Sequence, residues 1–202
     1  MSELKTQITD EDASLVASWR SGDPASFEAL VRKHQKRMLN IAFRISGNYE
    51  DACEITQDAF VAAYREIGSF RGTARFTTWL TSIVINLARN RRQQVQSRQQ
   101  HEAWSMNETA SDNSSRTGRE LPSPSLSAHD RLERLDLHEK LQDCINGLGE
   151  EFRETIVLRD LQDSSYGEIG AILKVKEGTV KSRLFRAREM VKDCLKQAVG
   201  EL

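Results

Sequence analysis

Apolar residues recur at helical spacing along two separate stretches of the chain, and the first begins near Pro24. Asp23 followed by Pro24 is a common helix start, because the fixed φ of proline suits the first helical position. Gly47 and Asn48 indicate a turn after this helix. The predicted helices run from Pro24 to about Ile45, from Asp51 to about Ile67 and, after a loop, from about Arg75 to Arg92.

A polar stretch from Gln93 to His129 separates the two apolar stretches and is rich in Gln, Ser, Asn and Thr. Such a composition buries too little apolar area to offset chain entropy, which predicts a linker of roughly 35 residues. Helical periodicity returns from Asp130. We therefore expect an all-α protein with two small helical domains joined by a flexible linker. The expected boundaries are a tail over 1–23, a first domain over 24–94, a linker over 95–130 and a second domain over 131–202.

The second domain contains a helix-turn-helix pattern. Ser164 or Ser165 can cap a short helix, and Glu168 stands three residues after Ser165, as in a capping box. The turn from Lys174 to Lys176 then leads into a longer helix that begins near Glu177. Two helices joined by so short a turn are typical of a DNA-binding motif.

The longer helix has two distinct faces when its residues are placed about 100° apart. One face is a predicted core stripe of Val180, Leu184, Ala187 and Val191. The opposite face carries Lys181, Ser182 and Phe185, and arginines at 183, 186 and 188 flank it. Polar groups suit base edges and arginines suit phosphates, so this face is predicted to enter a DNA groove. A solvated basic helix with one exposed Phe is the alternative interpretation.

The third helix of the first domain is basic and carries aromatic and amide side chains. Residues 71–98 include six arginines and no acid. One stripe of this helix consists of Arg75, Trp79, Ser82, Asn86 and Asn90. Such a surface suits melted DNA, although Phe76 and Trp79 are each also expected in the core.

The second helix is acidic, with five acids and one arginine over residues 50–66. Its predicted core stripe is Ala52, Ile55, Ala59 and Ala63. The opposite face carries Glu54, Gln57 and Asp58 beside Val61 and Arg65, which favours a protein-binding surface over a DNA-binding one; a merely solvated face is the alternative.

Composition excludes several other classes of protein. The net charge is −1, and no apolar run is long enough to span a bilayer. The three cysteines form no CxxC pair and lie far apart, which argues against a zinc site or a disulfide framework, and Cys53 is expected to be exposed. The four histidines fit no HExxH pattern and no phosphate loop is present, so neither an enzyme nor a cofactor is expected. A cytoplasmic location is expected.

The motifs together resemble the extracytoplasmic-function class of bacterial sigma factors, of the envelope-stress sigma-E type. Residues 51–65 resemble region 2.2 of that family, Ser69-Phe-Arg-Gly and residues 76–86 resemble regions 2.3 and 2.4, and residues 165–173 with 178–188 resemble region 4.2. The order and separation of these motifs make the set specific. The resemblance implies a sigma factor that directs core RNA polymerase to promoters, in a stress-response regulon.

The resemblance also implies roles for particular residues. Glu54, Gln57 and Asp58 would dock on the β′ clamp helices of the polymerase, and the β flap would hold the second domain. The −10 element would be read by Arg75, Trp79, Asn86, Arg89 and Asn90, and Asn86 matches the position that helps to capture a flipped base. The −35 element would be read by Thr179, Lys181, Ser182, Arg183, Phe185 and Arg186. A membrane-linked anti-sigma factor is an implied partner, whereas a small-molecule substrate is not.

Two positions depart from the pattern of the family. Lys181 stands where the sigma-E type has arginine, and lysine cannot make the same bidentate contact. Gly149 replaces the proline that usually follows Leu148.

The competing hypothesis is a transcriptional regulator with an N-terminal sensor, which leaves the acidic and the arginine-rich helices unexplained.

Overall fold

The computed structural model describes the backbone of residues 10–105 and 128–199 and the side chains of residues 10–98 and 135–199. These residues form helices and no strands. The helices are α1 (Ala13–Arg20), α2 (Pro24–Ser46), α3 (Tyr49–Arg65), α4 (Phe76–Ser105), α5 (Ala128–Gly147), α6 (Glu150–Ile156), α7 (Tyr166–Leu173) and α8 (Glu177–Val199). A 3-10 turn (Ile67–Ser69) follows α3, and a π-helical turn (Val157–Leu161) extends α6. None of the helices described is long and apolar enough to cross a bilayer.

Local signals in the sequence fix the ends of α2 and α3. The Asp23 side chain accepts a hydrogen bond from the amide of Ala25, and Pro24 occupies the first turn of α2. Gly47 ends the helix in the left-handed region, with φ at 79°. Asn48 then caps α3 by accepting from the amide of Asp51 at 2.9 Å. The predicted turn at Gly47 and Asn48 is therefore confirmed.

Helices α2, α3 and α4 pack around one apolar core. The stripe predicted for α3 is buried in full, because Ala52, Ile55, Ala59 and Ala63 all face this core. Phe76 is completely buried at the start of α4. The small alanines of α3 let the neighbouring helices approach closely.

Helix α4 extends well beyond the predicted end at Arg92 and reaches Ser105. The predicted end was wrong because the polar composition after Arg92 does not by itself end a helix. Gln and Arg are good helix formers, so a helix can continue without an apolar face. The predicted linker therefore begins in helix, and residues 106–127 lie outside the described residues.

Helix α1 lies within the segment that was expected to be a tail. Its Val16 and Trp19 are buried, and the Trp19 ring packs against Phe27 at a tilt of 40°, with 4.6 Å between the ring centroids. Just before it, the buried Asp12 carboxylate lies 2.8 Å from Nε2 of His34 and 2.7 Å from Nζ of Lys33. These contacts fasten α1 to α2.

Helices α5 to α8 form a second helical group, whose buried residues belong to the same apolar cluster, and a disulfide links two of these helices. Cys144 of α5 and Cys194 of α8 are bonded, with their Cα atoms 5.8 Å apart. The expectation that the cysteines form no disulfide was wrong, because distance along the sequence says nothing about distance between helices that pack side by side. Cys53 is free and exposed, as predicted.

The two helical groups also pack against each other. Helix α4 contacts α7, and α2 contacts α5 and the π-helical turn. At Gly47, an added Cβ would lie 2.8 Å from the side-chain oxygen of Asn146, which shows how closely α2 and α5 approach.

Candidate DNA-binding and partner-binding surfaces

The helix-turn-helix is built by α7 and α8. Ser165 and Glu168 form the predicted capping box at the start of α7. Lys174 ends α7 in the left-handed region, with φ at 56°. At Gly170, an added Cβ would come within 2.8 Å of the carbonyl oxygen of Val175, so the tight turn requires a residue without a side chain.

Helix α8 buries the predicted stripe and exposes the predicted reading face. Val180, Leu184, Ala187 and Val191 are buried. Phe185 is 70% exposed, which is unusual for a large aromatic side chain on a helix with a packed face.

The polar side chains around Phe185 have local partners. Lys181 places Nζ 5.6 Å from the ring centroid of Tyr166, and Arg159 lies on the same ring at 5.1 Å. Ser182 donates its hydroxyl to the carbonyl of Thr179 at 3.0 Å, and Arg183 pairs with Glu151 at 2.6 Å. Arg186 is exposed. Tyr166 was not identified from sequence as a partner of Lys181, since cation–π contacts between helices leave no spacing signal.

The predicted stripe on α4 is exposed in part. Arg75, Asn86 and Asn90 are exposed, whereas Trp79 is half-buried. The centroid of the Trp79 ring lies 5.1 Å from that of Phe70 and 5.9 Å from that of Phe76, and these two contacts hold the ring in place. Ser82 donates its hydroxyl to the carbonyl of Trp79.

The arginines of α4 are balanced by acids from other helices. The Arg89 guanidinium lies 2.8 Å from Glu154 and 2.7 Å from Glu150, both on α6. Arg91 pairs with Asp51 at 2.7 Å and with Glu54 at 2.5 Å, both on α3, and Arg75 lies 3.5 Å from Glu168. The absence of acid within this stretch of sequence thus does not make it an unpaired cationic surface.

Burial changes the pKa values of two charged side chains between the two helical groups. Burial raises the pKa of Glu154, although its hydrogen bonds to Arg89 oppose the shift. Burial lowers the pKa of Arg153 to about 10, which still leaves this guanidinium charged at neutral pH. Arg153 donates to the carbonyl oxygens of Ile145, Asn146 and Leu148 at the end of α5.

The exposed face of α3 borders an apolar groove. Glu54, Gln57 and Asp58 are exposed, as predicted. Beside them, α2 and α3 enclose a groove of about 920 Å³. Val61 is 41% exposed and Tyr64 51% exposed in its wall. Within the described residues, no cluster of His, Cys, Asp and Glu could hold a metal ion.

Both halves of the chain match sigma factor families. Residues 30–98 match Sigma-70 region 2 and residues 138–191 match Sigma-70 region 4. The sigma-E factor of Escherichia coli K12 is 34% identical over 194 residues, which cover 93% of this chain and 95% of that protein. The sigma-H factor of Pseudomonas aeruginosa is 30% identical over 192 residues, covering 95% of this chain and 97% of that protein.

The chain belongs to the extracytoplasmic-function sigma factors. As a sigma factor, it directs RNA polymerase to promoters. Sigma factors are transcription initiation factors and are not themselves catalytic.

Solved structures of sigma factors have the same fold. CnrH in complex with the cytosolic domain of CnrY aligns with a TM-score of 0.67 at 23% identity, over 93% of this chain and 99% of that one. The sigma factor RpoE of Bartonella quintana, in complex with the anti-sigma factor NepR, aligns with a TM-score of 0.62 at 22% identity, over 84% of this chain and 96% of that one.

Proposed function

We propose that this sigma factor reads a −35 element with α8 and a −10 element with α4 while α3 holds the core polymerase. The observation that carries the proposal is the exposure of Phe185 on the face of α8 opposite its buried stripe. A side chain of that size, left in solvent on a helix-turn-helix, fits a role in contact with DNA.

The −35 contact would use the first three turns of α8. Phe185 would lie against a base or a thymine methyl, and Lys181 and Ser182 would reach base edges. Thr179, Arg183 and Arg186 would hold the phosphates on either side. Lys181 is a point charge held beside Tyr166, so it would tolerate more bases than a bidentate arginine would.

The −10 contact would use the exposed amides of α4. Asn86 and Asn90 lie one turn apart and are exposed, and Asn86 matches the family position for capture of a flipped base. Trp79 contacts Phe70 and Phe76, and this aromatic cluster lies on α4 on the N-terminal side of the two amides. Arg75 and Arg89 would hold the backbone of the melted strand, which suits a mode of binding based on stacking and charge.

Core polymerase would dock on the exposed face of α3 through its β′ clamp helices, and the β flap would contact the second domain. Glu54, Gln57 and Asp58 provide polar contacts there, and the adjoining groove provides apolar area. A small apolar centre with a polar rim is the usual composition of a protein interface.

An anti-sigma factor would control this activity. Among the solved neighbours, CnrH is in complex with the cytosolic domain of CnrY, and RpoE is in complex with the anti-sigma factor NepR. By analogy with CnrY, we propose a membrane-linked partner and a regulon that responds to stress. The protein would act in the cytoplasm, where the polymerase is, with no enzymatic activity or small-molecule substrate of its own.

Run-off transcription tests the proposal. Core polymerase would be supplied with fragmented genomic DNA, with and without the protein, and new transcripts would be mapped. We expect start sites that depend on the protein and share two elements at fixed spacing. Promoter binding without core enzyme and no new start sites would instead support a conventional regulator.

Variants separate the −10 contact from the contact with core polymerase. Asn86→Ala should impair opening of the promoter, whereas Gln57→Ala should weaken binding to the core enzyme. Gln96→Ala provides a matched control, because this exposed amide also lies on α4 but outside the proposed contacts. Equal loss of activity in all three variants would contradict the assignment of roles.

A further inference from the structure

We propose that Asp10 is a positioning residue for recognition of the −10 element, because its carboxylate holds the start of α4 from a segment 66 residues earlier in the chain. This inference rests on the proposed −10 contact of α4. Asp10 acts through Phe76 and Arg75, where the loop before α4 becomes helix, rather than by touching DNA itself.

The start of α4 has no cap from its own N-cap residue. Arg75 stands directly before the first helical residue, and its carbonyl oxygen accepts a hydrogen bond from the amide of Trp79 at 3.1 Å. Arg75 is therefore the N-cap residue, a position where the side chain of Asp, Asn, Ser or Thr normally accepts from an amide of the first turn. An arginine side chain carries donors only, so it cannot supply this acceptor.

Asp10 supplies the missing acceptor. Its Oδ2 accepts a hydrogen bond from the amide of Phe76 at 2.8 Å, and its Oδ1 accepts from the amide of Asp12 at 3.1 Å. The two carboxylate oxygens thus join two segments that are distant in sequence. The negative charge also lies at the positive end of the α4 dipole, which stabilises the helix start further.

The segment around Asp10 is itself fastened to α2. The amide of Ala13 donates to the carbonyl oxygen of Asp10 at 3.1 Å, so the segment turns directly into α1. Asp12 is 2% exposed, and its carboxylate contacts Lys33 and His34 of α2. Asp10 is therefore held at a fixed place relative to α2, and it transmits that place to the start of α4.

A second contact to the start of α4 is made through the ring of Phe76, which is completely buried. The Trp19 ring of α1 meets it edge to face, with 6.2 Å between the ring centroids and 89° between the planes. The centroid of the His34 ring lies 5.8 Å from that of Phe76. The backbone and the side chain of Phe76 are thus both held, and the exposed Arg75 directly before it takes its position from this fixed point.

The positioning role can be separated from a role of the charge alone. A positioning role needs an acceptor oxygen near the amide of Phe76, and its loss impairs promoter opening. A carboxylate that merely repels DNA phosphates near Arg75 would have the opposite effect, because its loss would tighten DNA binding. Asp10→Ala removes both the acceptor and the charge, whereas Asp10→Asn removes the charge and keeps an acceptor oxygen.

The test uses holoenzyme formed from core polymerase and the full-length protein. The DNA probe is the promoter that gives the strongest protein-dependent transcript in the run-off experiment. Gel shift in the cold measures promoter binding before opening, and permanganate reactivity of unpaired thymines measures the rate of opening. Glu11→Ala is the matched control, because it removes a neighbouring carboxylate whose side chain is 86% exposed and which pairs with Lys33 at 3.5 Å.

We expect Asp10→Ala to slow promoter opening about fivefold, which corresponds to the loss of one helix cap, and to leave binding in the cold unchanged. Asp10→Asn should open within about twofold of the wild type because it keeps the acceptor. Glu11→Ala should match the wild type. Normal opening by Asp10→Ala would overturn the inference. So would tighter binding by Asp10→Ala, or opening by Asp10→Asn or Glu11→Ala as slow as that of Asp10→Ala.

Hydrogen exchange of the full-length protein without polymerase tests the cap directly. Asp10→Ala should speed amide exchange in peptides that cover the start of α4 but not in those from α8. Faster exchange in every helix would mean that Asp10→Ala is unfolded, and Asp10→Ser would then decide. Its shorter side chain can still accept from the nearby amide of Asp12 but loses the amide of Phe76, so slow opening is again expected.

Asn86→Ala separates this inference from the proposed function. If Asn86→Ala opens the promoter at the wild-type rate, the proposed −10 contact of α4 is wrong, while the exchange data still report on the cap. If Asn86→Ala is slow and Asp10→Ala is normal, only the positioning role of Asp10 is wrong.

Discussion

Phe185 and Met190 lie on the same helix, yet they are exposed for different reasons. Phe185 faces away from the core in the first half of α8, on the surface that we propose reads DNA. Met190 lies beyond this surface, toward the end of the helix, and is 44% exposed. The pair therefore separates a loss of DNA contact from a general loss of apolar surface.

Phe185→Ala should weaken promoter recognition by the holoenzyme about tenfold while leaving its binding to core polymerase unchanged, because full burial of a Phe side chain is worth about 1.5–3 kcal/mol and contact with a base would bury part of it. Promoter binding can be followed by gel shift and core binding by native electrophoresis. Met190→Ala should change neither. Parallel loss of both activities in Phe185→Ala would mean that the side chain supports the fold instead.

His34 is a second residue whose role can be measured. Burial lowers its pKa below the ordinary value of 6.5, while the Asp12 carboxylate opposes the shift. The unfolded chain therefore takes up a proton on His34 at a higher pH than the folded chain does. Its contribution to the free energy of unfolding is present above pH 6.5 and is lost as the pH falls through the lower folded pKa.

Replacing His34 by Gln keeps a donor for Asp12 but removes the titration. Between pH 7.5 and pH 5.5 we expect the free energy of unfolding in urea to fall further for the wild type than for His34→Gln. Identical losses in the two proteins would contradict the prediction. His138→Gln, on α5, provides a control for histidine in general.

Residue patterns predicted the buried stripes but not the ion pairs. The stripes of α3 and α8 follow from helical periodicity alone, because each side chain's direction is fixed by its position on the helix. The partner of Arg89 stands 65 residues further along the chain. Such a pair forms only when the helices pack together, so the charges counted along residues 71–98 alone could not predict it.

At the scale of elements, the start of α6 is a place where this chain departs from its family. Gly149 caps the helix with φ at −58°, a value that proline adopts. An added Cβ would meet only the ring of Phe152, at 3.5 Å, which is ordinary contact.

Gly149→Pro should therefore stabilise the protein by about 0.4–1 kcal/mol, because it restricts the unfolded chain at a compatible position. Thermal unfolding followed by circular dichroism measures this, and Gly149→Ala gives the effect of the added Cβ alone. A lower melting temperature for the proline variant would show that the amide of Gly149 or the conformation of Leu148 matters more.

The disulfide between α5 and α8 is the other element-level feature. It closes a loop of 50 residues that includes α7 and most of α8. Reduction, or the double change Cys144→Ser with Cys194→Ser, should lower the free energy of unfolding by about 2–4 kcal/mol. Chemical unfolding with and without dithiothreitol measures the loss. Cys53→Ser should have no effect, and equal behaviour of all the variants would show that the bond does not form in solution.

Helix starts were easier to predict than helix ends or cross-links. Asp23, Asn48 and Ser165 mark starts because each side chain bonds to a nearby amide, which is a local event. The end of α4 and the bond between Cys144 and Cys194 carry no comparable local mark. Helix α1 was missed for a related reason, since its eight residues gain stability from burial of Trp19 rather than from their own sequence.

At the scale of the whole molecule, the sequence indicated two helical groups but not their arrangement. The motifs named the family and most of the proposed site residues without any knowledge of packing. The contact of α4 with α6 and α7 arises only when both groups are folded. It places Arg75 and Arg89, identified from sequence as DNA contacts, against carboxylates of the same chain.

The state of the three cysteines has a practical consequence. With Cys144 and Cys194 bonded, Cys53 offers one exposed thiol, and it lies on the rim of the groove between α2 and α3. A maleimide dye added to the wild-type protein would therefore attach at a single position. That position is next to the face of α3 proposed to bind the polymerase. Binding of core enzyme should therefore change the fluorescence of the dye, and no engineered cysteine is needed.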